Sequence, residues 1–225
     1  MRFAADAVLL DIEGTISSIA FMRNVLFAYS RERLADFVAD HRRDPAIDAI
    51  LCDASALGGG GDPVAALLQW QDRDEKAPPL KKLQGMIWES GYRTGAFQSS
   101  LFPDAFAALK RWKASGLPLY IYSSGSVQAQ ALFFQYNEAG DLQSMFSVLF
   151  DTDMGAKTDS ASYIAIAEQI GLKPGRIIFF SDNPGELSAA GDAALQVVHV
   201  IKEHPGDARF PAISDFSDIE ITRGV

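Results

Sequence analysis

From Pro103 onward the chain alternates short apolar runs with amphipathic stretches of helical spacing, and this alternation limits the possible fold more than any other feature. Ala105 to Ala114 reads as a helix stopped by Gly116, Leu117 to Tyr122 as a strand, Ser126 to Tyr136 as a helix and Val148 to Phe150 as a short strand. Ser160 to Ile170, closed by Gly171, is the next helix, followed by a strand at Ile177 to Phe180, a helix at Glu186 to Ala194 and a strand at Val197 to Ile201. Such a succession calls for a parallel sheet covered by helices on both faces. One further strand, near Ala7 to Asp11, comes first, and the region 17–100 that follows it is helical in period throughout. There Met22, Val25, Leu26, Tyr29, Leu34, Phe37 and Val38 recur at three- and four-residue spacing, and Gly58 to Gly61 form a glycine loop. Asp62-Pro63 has the form of an N-cap followed by proline at the first helical position, and another helix should start after Pro78-Pro79, to be ended by Gly91 or Gly95. The expected architecture is α/β: a doubly wound parallel sheet from residues 1–16 and 101–225, with an all-helical cap domain, residues 17–100, inserted after the first strand. An insertion at that point can act as a lid over the strand's end.

In a doubly wound sheet every strand points its carboxyl end to one edge, so the residues just after each strand should converge there. The first strand runs Val8-Leu9-Leu10 into Asp11-Ile12-Glu13-Gly14-Thr15, with two carboxylates on alternate residues before a glycine break. Residues i and i+2 of a strand share a face, so Asp11 and Glu13 can address one ligand. After Tyr122 come Ser123, Ser124, Gly125 and Ser126, and after Phe180 come Ser181, Asp182 and Asn183, while Lys157 lies in the loop ahead of the Ser160 helix. Hydroxyls and backbone N–H groups at a helix start suit an anion, a lysine matches its charge, and carboxylates suit a hard metal. Together these residues describe a phosphate site.

The bulk of the sequence narrows the partners. Of its 225 residues 48% are hydrophobic, the net charge is -9, and the 20 lysines and arginines are scattered, so neither nucleic acid nor an anionic membrane is an expected partner. A monomer acting on a small phosphorylated molecule is expected instead. No apolar run approaches the roughly 20 residues of a membrane span, and Asp6 precedes the first apolar stretch, so no signal peptide is expected and the cytoplasm follows. Cys52 is the single cysteine and reads as a structural thiol. His41, His199 and His204 are too widely spaced for an imidazole cage on one helix, which directs any metal to oxygen ligands.

With these motifs in this order the chain resembles the haloacid dehalogenase-like (HAD) phosphohydrolase superfamily. Asp11-Ile12-Glu13-Gly14-Thr15 matches its nucleophile motif and Tyr122-Ser123-Ser124-Gly125-Ser126 its hydroxyl motif. Lys157 matches its lysine motif, and Ser181-Asp182-Asn183 with Glu186 its acidic motif. Glu13 stands where the superfamily usually has a second Asp, and this departure is similar to one branch, the enolase-phosphatases of methionine salvage. Tyr120 to Val127 with Gln130, Leu83 to Trp88 in the insertion, Phe150-Asp151-Thr152, and Ser160 with Ser162-Tyr163 resemble that branch as well. The run Ile16 to Ala20 holds fewer hydroxyls than the branch pattern.

The resemblance implies a HAD-like Rossmannoid core and hydrolysis through an aspartyl phosphate. Asp11 is the implied nucleophile and Glu13 the acid and base; Ser123, Ser124 and Lys157 bind phosphate. Magnesium is the implied cofactor, held by Asp11, Asp182 and the backbone carbonyl of Glu13. The implied substrate is 2,3-diketo-5-methylthiopentyl 1-phosphate, enolised and then dephosphorylated to an acireductone. For the enolisation base Glu13 is the economical candidate, with Arg23, Glu89 and Arg93 as alternatives, and Trp88 is the preferred lid contact. A plain phosphatase of the superfamily for another small ester is the rival reading. A receiver-like domain is disfavoured, because its phosphorylated Asp follows the third strand and no lid interrupts it.

Overall fold

Proline, glycine and aspartate punctuate the chain where its elements begin and end. The computed structural model describes residues 1–203 and 206–223. In chain order it contains β1 (Arg2–Ala4), β2 (Ala7–Leu10), α1 (Ile19–Phe21), a π-helix over Met22–Phe27, α2 (Ala28–Asp40), α3 (Pro45–Leu57), α4 (Pro63–Asp72) and α5 (Pro78–Arg93). There follow α6 (Pro103–Ala114), β3 (Leu119–Tyr122), α7 (Val127–Gln135), β4 (Val148–Phe150), α8 (Ser160–Ile170), β5 (Ile177–Ser181), α9 (Pro184–Asp192), β6 (Gln196–Val200), β7 (Ala212–Ile213) and β8 (Glu220–Thr222). The chain divides into two compact units, one of Met1–Ile19 with Ser99–Val225 and one of Ala20–Gln98.

The first unit is built on a six-stranded sheet of order β4-β3-β2-β5-β6-β7 in which all pairs are parallel, beside a two-stranded parallel sheet of β1 and β8. β2 and β5 are buried at every residue, as a parallel sheet covered on both faces demands. On one face Leu9, Tyr122, Tyr163, Ile166, Phe179 and Leu187 form a cluster; Trp112 of α6 stacks on Phe180 at 5.5 Å, and Phe216 meets both rings. From β2 the chain winds outward through β3 and β4 on one side, then through β5 and β6 on the other. The direction therefore reverses between β2 and β5, the position at which open α/β sheets leave a crevice at the strands' carboxyl ends. β3 starts two residues later than the apolar run, after Pro118, which has no N–H to give the ladder but accepts the Val8 N–H at 3.1 Å.

The second unit packs α2, α3, α4 and α5 around Leu34, Val38, Ile47, Ile50, Ala54, Leu67, Leu80, Leu83 and Ile87. Asp62 accepts the Val64 N–H at 3.0 Å with Pro63 at the first position of α4, as the sequence signals, whereas α5 takes in both prolines and begins at Pro78 instead of after Pro79. α5 ends at Arg93, capped by Thr94, and Gly95 follows with φ at +72°, while Gly91 lies inside the helix against Phe97 and Tyr29. Cys52 is exposed on α3, in contrast to the structural thiol expected. Among the described residues no helix is long and apolar enough to cross a membrane.

The lid-contact expectation for Trp88 meets a different environment. Its side chain is buried inside this unit, its indole N–H donates to the Leu26 carbonyl at 2.7 Å, and its ring lies 5.8 Å from that of Phe27. Trp88→Ala should then cost about 3–5 kcal/mol of stability, as large core truncations do. Calorimetry should show the loss, and kcat/KM on the diketone phosphate and on an aryl phosphate should fall by the same factor; a selective loss on the first would restore the contact role.

Candidate active site

Asp11 stands at the first position after β2, its N–H still bonded to the Phe180 carbonyl of β5 at 3.0 Å. The chain then turns back on itself. The Ile12 carbonyl accepts the N–H groups of Thr15, Ile16 and Ser17, and Gly14, with φ at +71°, donates to Ser17 at 2.8 Å. Because β2 ends at Leu10, it is this turn, and no continuing strand face, that sets Asp11 and Glu13 relative to one another. Asp11 is buried and Glu13 half-buried. Ser17 Oγ donates to the Ser100 carbonyl and Ser18 Oγ to Glu203, so both hydroxyls of the Ile16 to Ala20 run are engaged within the first unit.

Asp11, Lys157, Ser181, Asp182 and Glu186 form one connected cluster with Thr15. Lys157 Nζ lies 2.5 Å from Asp11 Oδ1 and 2.8 Å from Glu186 Oε2, and all three side chains are at least nine-tenths buried. Thr15 Oγ1 donates to Asp11 Oδ2 at 3.2 Å and accepts the Asp182 N–H at 3.0 Å, tying the end of β2 to the end of β5. Ser181 Oγ donates to Glu186 Oε2 at 2.9 Å. Burial pushes the Glu186 carboxyl up to about 7, reinforced by the Asp11 charge and opposed by Lys157. Burial alone would lower the Lys157 ammonium, but the Asp11 and Glu186 charges more than offset it and raise it above the usual range.

Ser123 and Ser124 reach the same edge by strand register. Leu10 lies opposite Ile121, so the turn after Tyr122 and Asp11 leave the sheet side by side. Gln130, buried in α7, holds that turn by donating from Nε2 to the Gly125 carbonyl at 2.8 Å and the Phe150 carbonyl at 2.9 Å. The helix start behind it is less open to an anion than expected. Asp151 Oδ2 takes the Val127 N–H at 3.0 Å, Ser126 Oγ the Ala129 N–H at 3.3 Å and Ser123 Oγ the Gly125 N–H at 3.3 Å.

Sequence reasoning gave no role to Thr15 or His199. His199 is buried in β6, where it accepts the Asp207 N–H at Nδ1 and therefore donates from Nε2 to the Asp182 carbonyl at 3.0 Å. A histidine inside an apolar strand carries no motif, so only the fold reveals it. His41 bonds the Phe37 carbonyl on α2, and His204 lies outside the described residues. Glu89 and Arg93 pair with one another at 2.8 Å on the surface of α5, and Arg23 is exposed in the π-helix.

The donors at this edge suit a hard cation. Gly14 carries no Cβ, and one placed there would strike Asp182 Oδ2 and lie 2.6 Å from Asp182 Cγ, so the Asp182 carboxylate rests directly on the turn that also presents Asp11 and the Glu13 carbonyl. Asp11 and Glu186 meet the Lys157 ammonium while the Asp182 carboxylate rests on the turn that presents Asp11, a concentration of acidic groups that a divalent cation balances and that would otherwise repel phosphate. Among the described residues no three His, Cys, Asp or Glu side chains form a group that could by itself hold a metal ion.

The profile of haloacid dehalogenase-like hydrolases matches residues 5–194. The Enolase-phosphatase E1 of Bradyrhizobium sp. (strain BTAi1) is 63% identical over 96% of this chain and 95% of its own length, and that of Pseudomonas aeruginosa (strain UCBPP-PA14) is 46% identical over 96% and 98%. Among solved structures, the UTR4 protein of Saccharomyces cerevisiae superposes with a TM-score of 0.79 at 32% identity, covering 94% of this chain and 98% of that one. CbbY from Rhodobacter sphaeroides, in complex with phosphate, shares the fold with a TM-score of 0.65 at 18% identity, covering 95% and 96%. Hydrolases of this family generally use a divalent metal. The order of motifs, the sheet that gathers them and the full-length similarity agree: the chain belongs to the haloacid dehalogenase-like hydrolases and, within them, to the enolase-phosphatase E1 family.

Proposed function

We propose that this protein converts 2,3-diketo-5-methylthiopentyl 1-phosphate, by way of its enol phosphate, to the acireductone 1,2-dihydroxy-3-keto-5-methylthiopentene and phosphate, as a step of methionine salvage. The carrying observation is the 63% identity to an enolase-phosphatase E1 over nearly the whole chain. Supporting it, Asp11 is held at the crevice of the sheet by Lys157 and Thr15.

In this reading an Asp11 oxygen forms a bond to phosphorus as the bond to the leaving oxygen breaks, and Glu13 gives that oxygen its proton. Water then attacks the acyl phosphate, its proton passes to Glu13, and phosphate leaves with Asp11 regenerated. Lys157, Ser123 and Ser124 hold the phosphoryl oxygens, and their work is positional and electrostatic. The Asp11 and Asp182 carboxylates with the Glu13 carbonyl would hold magnesium, which when bound neutralises phosphoryl charge and polarises the substrate carbonyl. Glu13 is the proposed base at the carbon acid. The helical unit, Ala20–Gln98, is assigned the part of the cap. A monomer in the cytoplasm completes the reading.

The direct test follows the diketone phosphate by ultraviolet absorbance and phosphate release together. An enol absorbance that precedes phosphate supports the reading, and phosphate released with no enol on any timescale replaces it with a plain phosphatase. Removal of metal by a chelator should abolish phosphate release and added magnesium should restore it. Full activity after verified metal removal would refute the metal assignment.

A further inference from the structure

Three successive peptide carbonyls ahead of α8 each accept a hydrogen bond from a different side-chain hydroxyl. Tyr122 Oη donates to Gly155 at 3.0 Å, Ser162 Oγ to Ala156 at 2.8 Å and Tyr163 Oη to Lys157 at 2.8 Å. All three donors are buried. Surface loops commonly leave such carbonyls to water, and a buried carbonyl needs only one partner. Ala156 already has one, because its carbonyl closes a turn with the Asp159 N–H at 3.0 Å. The Ser162 hydroxyl sits so close to Gly155, where φ is +119°, that a Cβ at that position would collide with it. Tyr122 also turns its ring face toward the Lys157 ammonium, 5.7 Å away. Burial raises both phenols above their ordinary range, so they remain donors at any working pH.

A lysine head rides on a flexible four-carbon stem, and it reaches a fixed place only when the peptide that bears it is fixed. We infer that Tyr122, Ser162 and Tyr163 are positioning residues that lock the peptide 155–157 so that the Lys157 ammonium meets Asp11 and the phosphoryl group in one geometry. The inference rests on the proposed phosphate-binding role of Lys157. None of the three touches the reacting atoms; they act through the lysine.

The test is a set of double-mutant cycles read by calorimetric binding of inorganic phosphate to the full chain with magnesium. Tyr163→Phe and Ser162→Ala are each made in the wild-type protein and in Lys157→Ala, and kcat and KM are measured in the wild-type background. Each single change should weaken phosphate roughly three- to tenfold, the worth of one hydrogen bond, and lower kcat more than it raises KM. In Lys157→Ala neither should weaken phosphate further. The same factor of weakening in both backgrounds would show a general structural role and overturn the inference, as would no weakening in the wild type. Should Tyr163→Phe fail to fold, Ser162→Ala, which removes one oxygen, decides alone. Lys157→Ala that binds phosphate as tightly as wild type overturns the lysine assignment itself, and the inference with it.

Discussion

Asp11→Asn is expected to cut phosphate release by more than about a hundredfold while the protein stays folded. A carboxamide is a poor nucleophile and a weaker ligand for a hard cation, and both roles proposed for Asp11 are lost together. The fold should tolerate the change. The amide oxygen can keep the Lys157 contact now made by Oδ1, and the amide nitrogen can point toward Thr15 Oγ1, a hydroxyl able to reorient. Enolisation does not need a nucleophile at phosphorus, so with magnesium present the variant should turn the diketone phosphate into its enol phosphate and stop there. Absorbance would rise with no phosphate released. Retention of a tenth or more of the wild-type rate would remove Asp11 from the nucleophile's role. A variant that binds metal and substrate but forms no enol would show that Asp11 serves both steps.

Gly14→Ala should be nearly as damaging, although the residue has no functional group. With φ at +71°, any side chain there costs about 1–2 kcal/mol. That corresponds to a fall in Tm of about 2–8 °C for a chain of this size. The larger effect is chemical. The new methyl would occupy the place of the Asp182 carboxylate, whose backbone is pinned by the Thr15 hydroxyl and by His199, so the carboxylate must swing away instead of the loop shifting. Disturbing how a metal ligand is held typically costs ten- to a hundredfold in affinity or activity, and the magnesium concentration for half-maximal rate should rise by about that factor. A variant with wild-type magnesium dependence would separate Asp182 from the metal.

Much of the sheet and its helices was legible because their signals are local. β4 and α8 begin and end at the residues read from the sequence, since Val148 to Phe150 is a bounded apolar run and Gly171 closes α8 in the left-handed conformation that glycine adopts freely. β1 and β8 were not legible. Arg2 pairs with Glu220 across nearly the entire chain, and three mixed residues at each end carry no period. The helical stripe from Met22 to Val38 was read as one continuous period, whereas the π-helix at Met22–Phe27 shifts the turn and brings Ser30 inward beside Leu26, Leu34 and Val38. Its displaced Phe27 carbonyl is taken by Ser30 Oγ and by Gln71. At the site, Asp11, Lys157 and Asp182 could be read because each follows a strand or precedes a helix in a recognisable motif. The link through Thr15 and the support from His199 join residues far apart in sequence and exist only once the strands are neighbours.

The central place of β2 has a consequence for how the molecule is made. Val8 lies opposite Leu119 on one side and Ile178 on the other, so the strand that leads into the proposed nucleophile, Asp11, emerges from the ribosome more than a hundred residues before its first partner. At roughly 5–20 residues per second that is a wait of about 5–20 s with an apolar segment unpaired. The helices of Ala20–Gln98 contact one another over short stretches of chain and can form meanwhile, whereas the sheet has to close a long loop before any hydrogen bond rewards it. During synthesis, then, the segment around Val8 to Leu10 is the one most in need of a chaperone, and aggregation at high expression should depend on it more than on any surface residue.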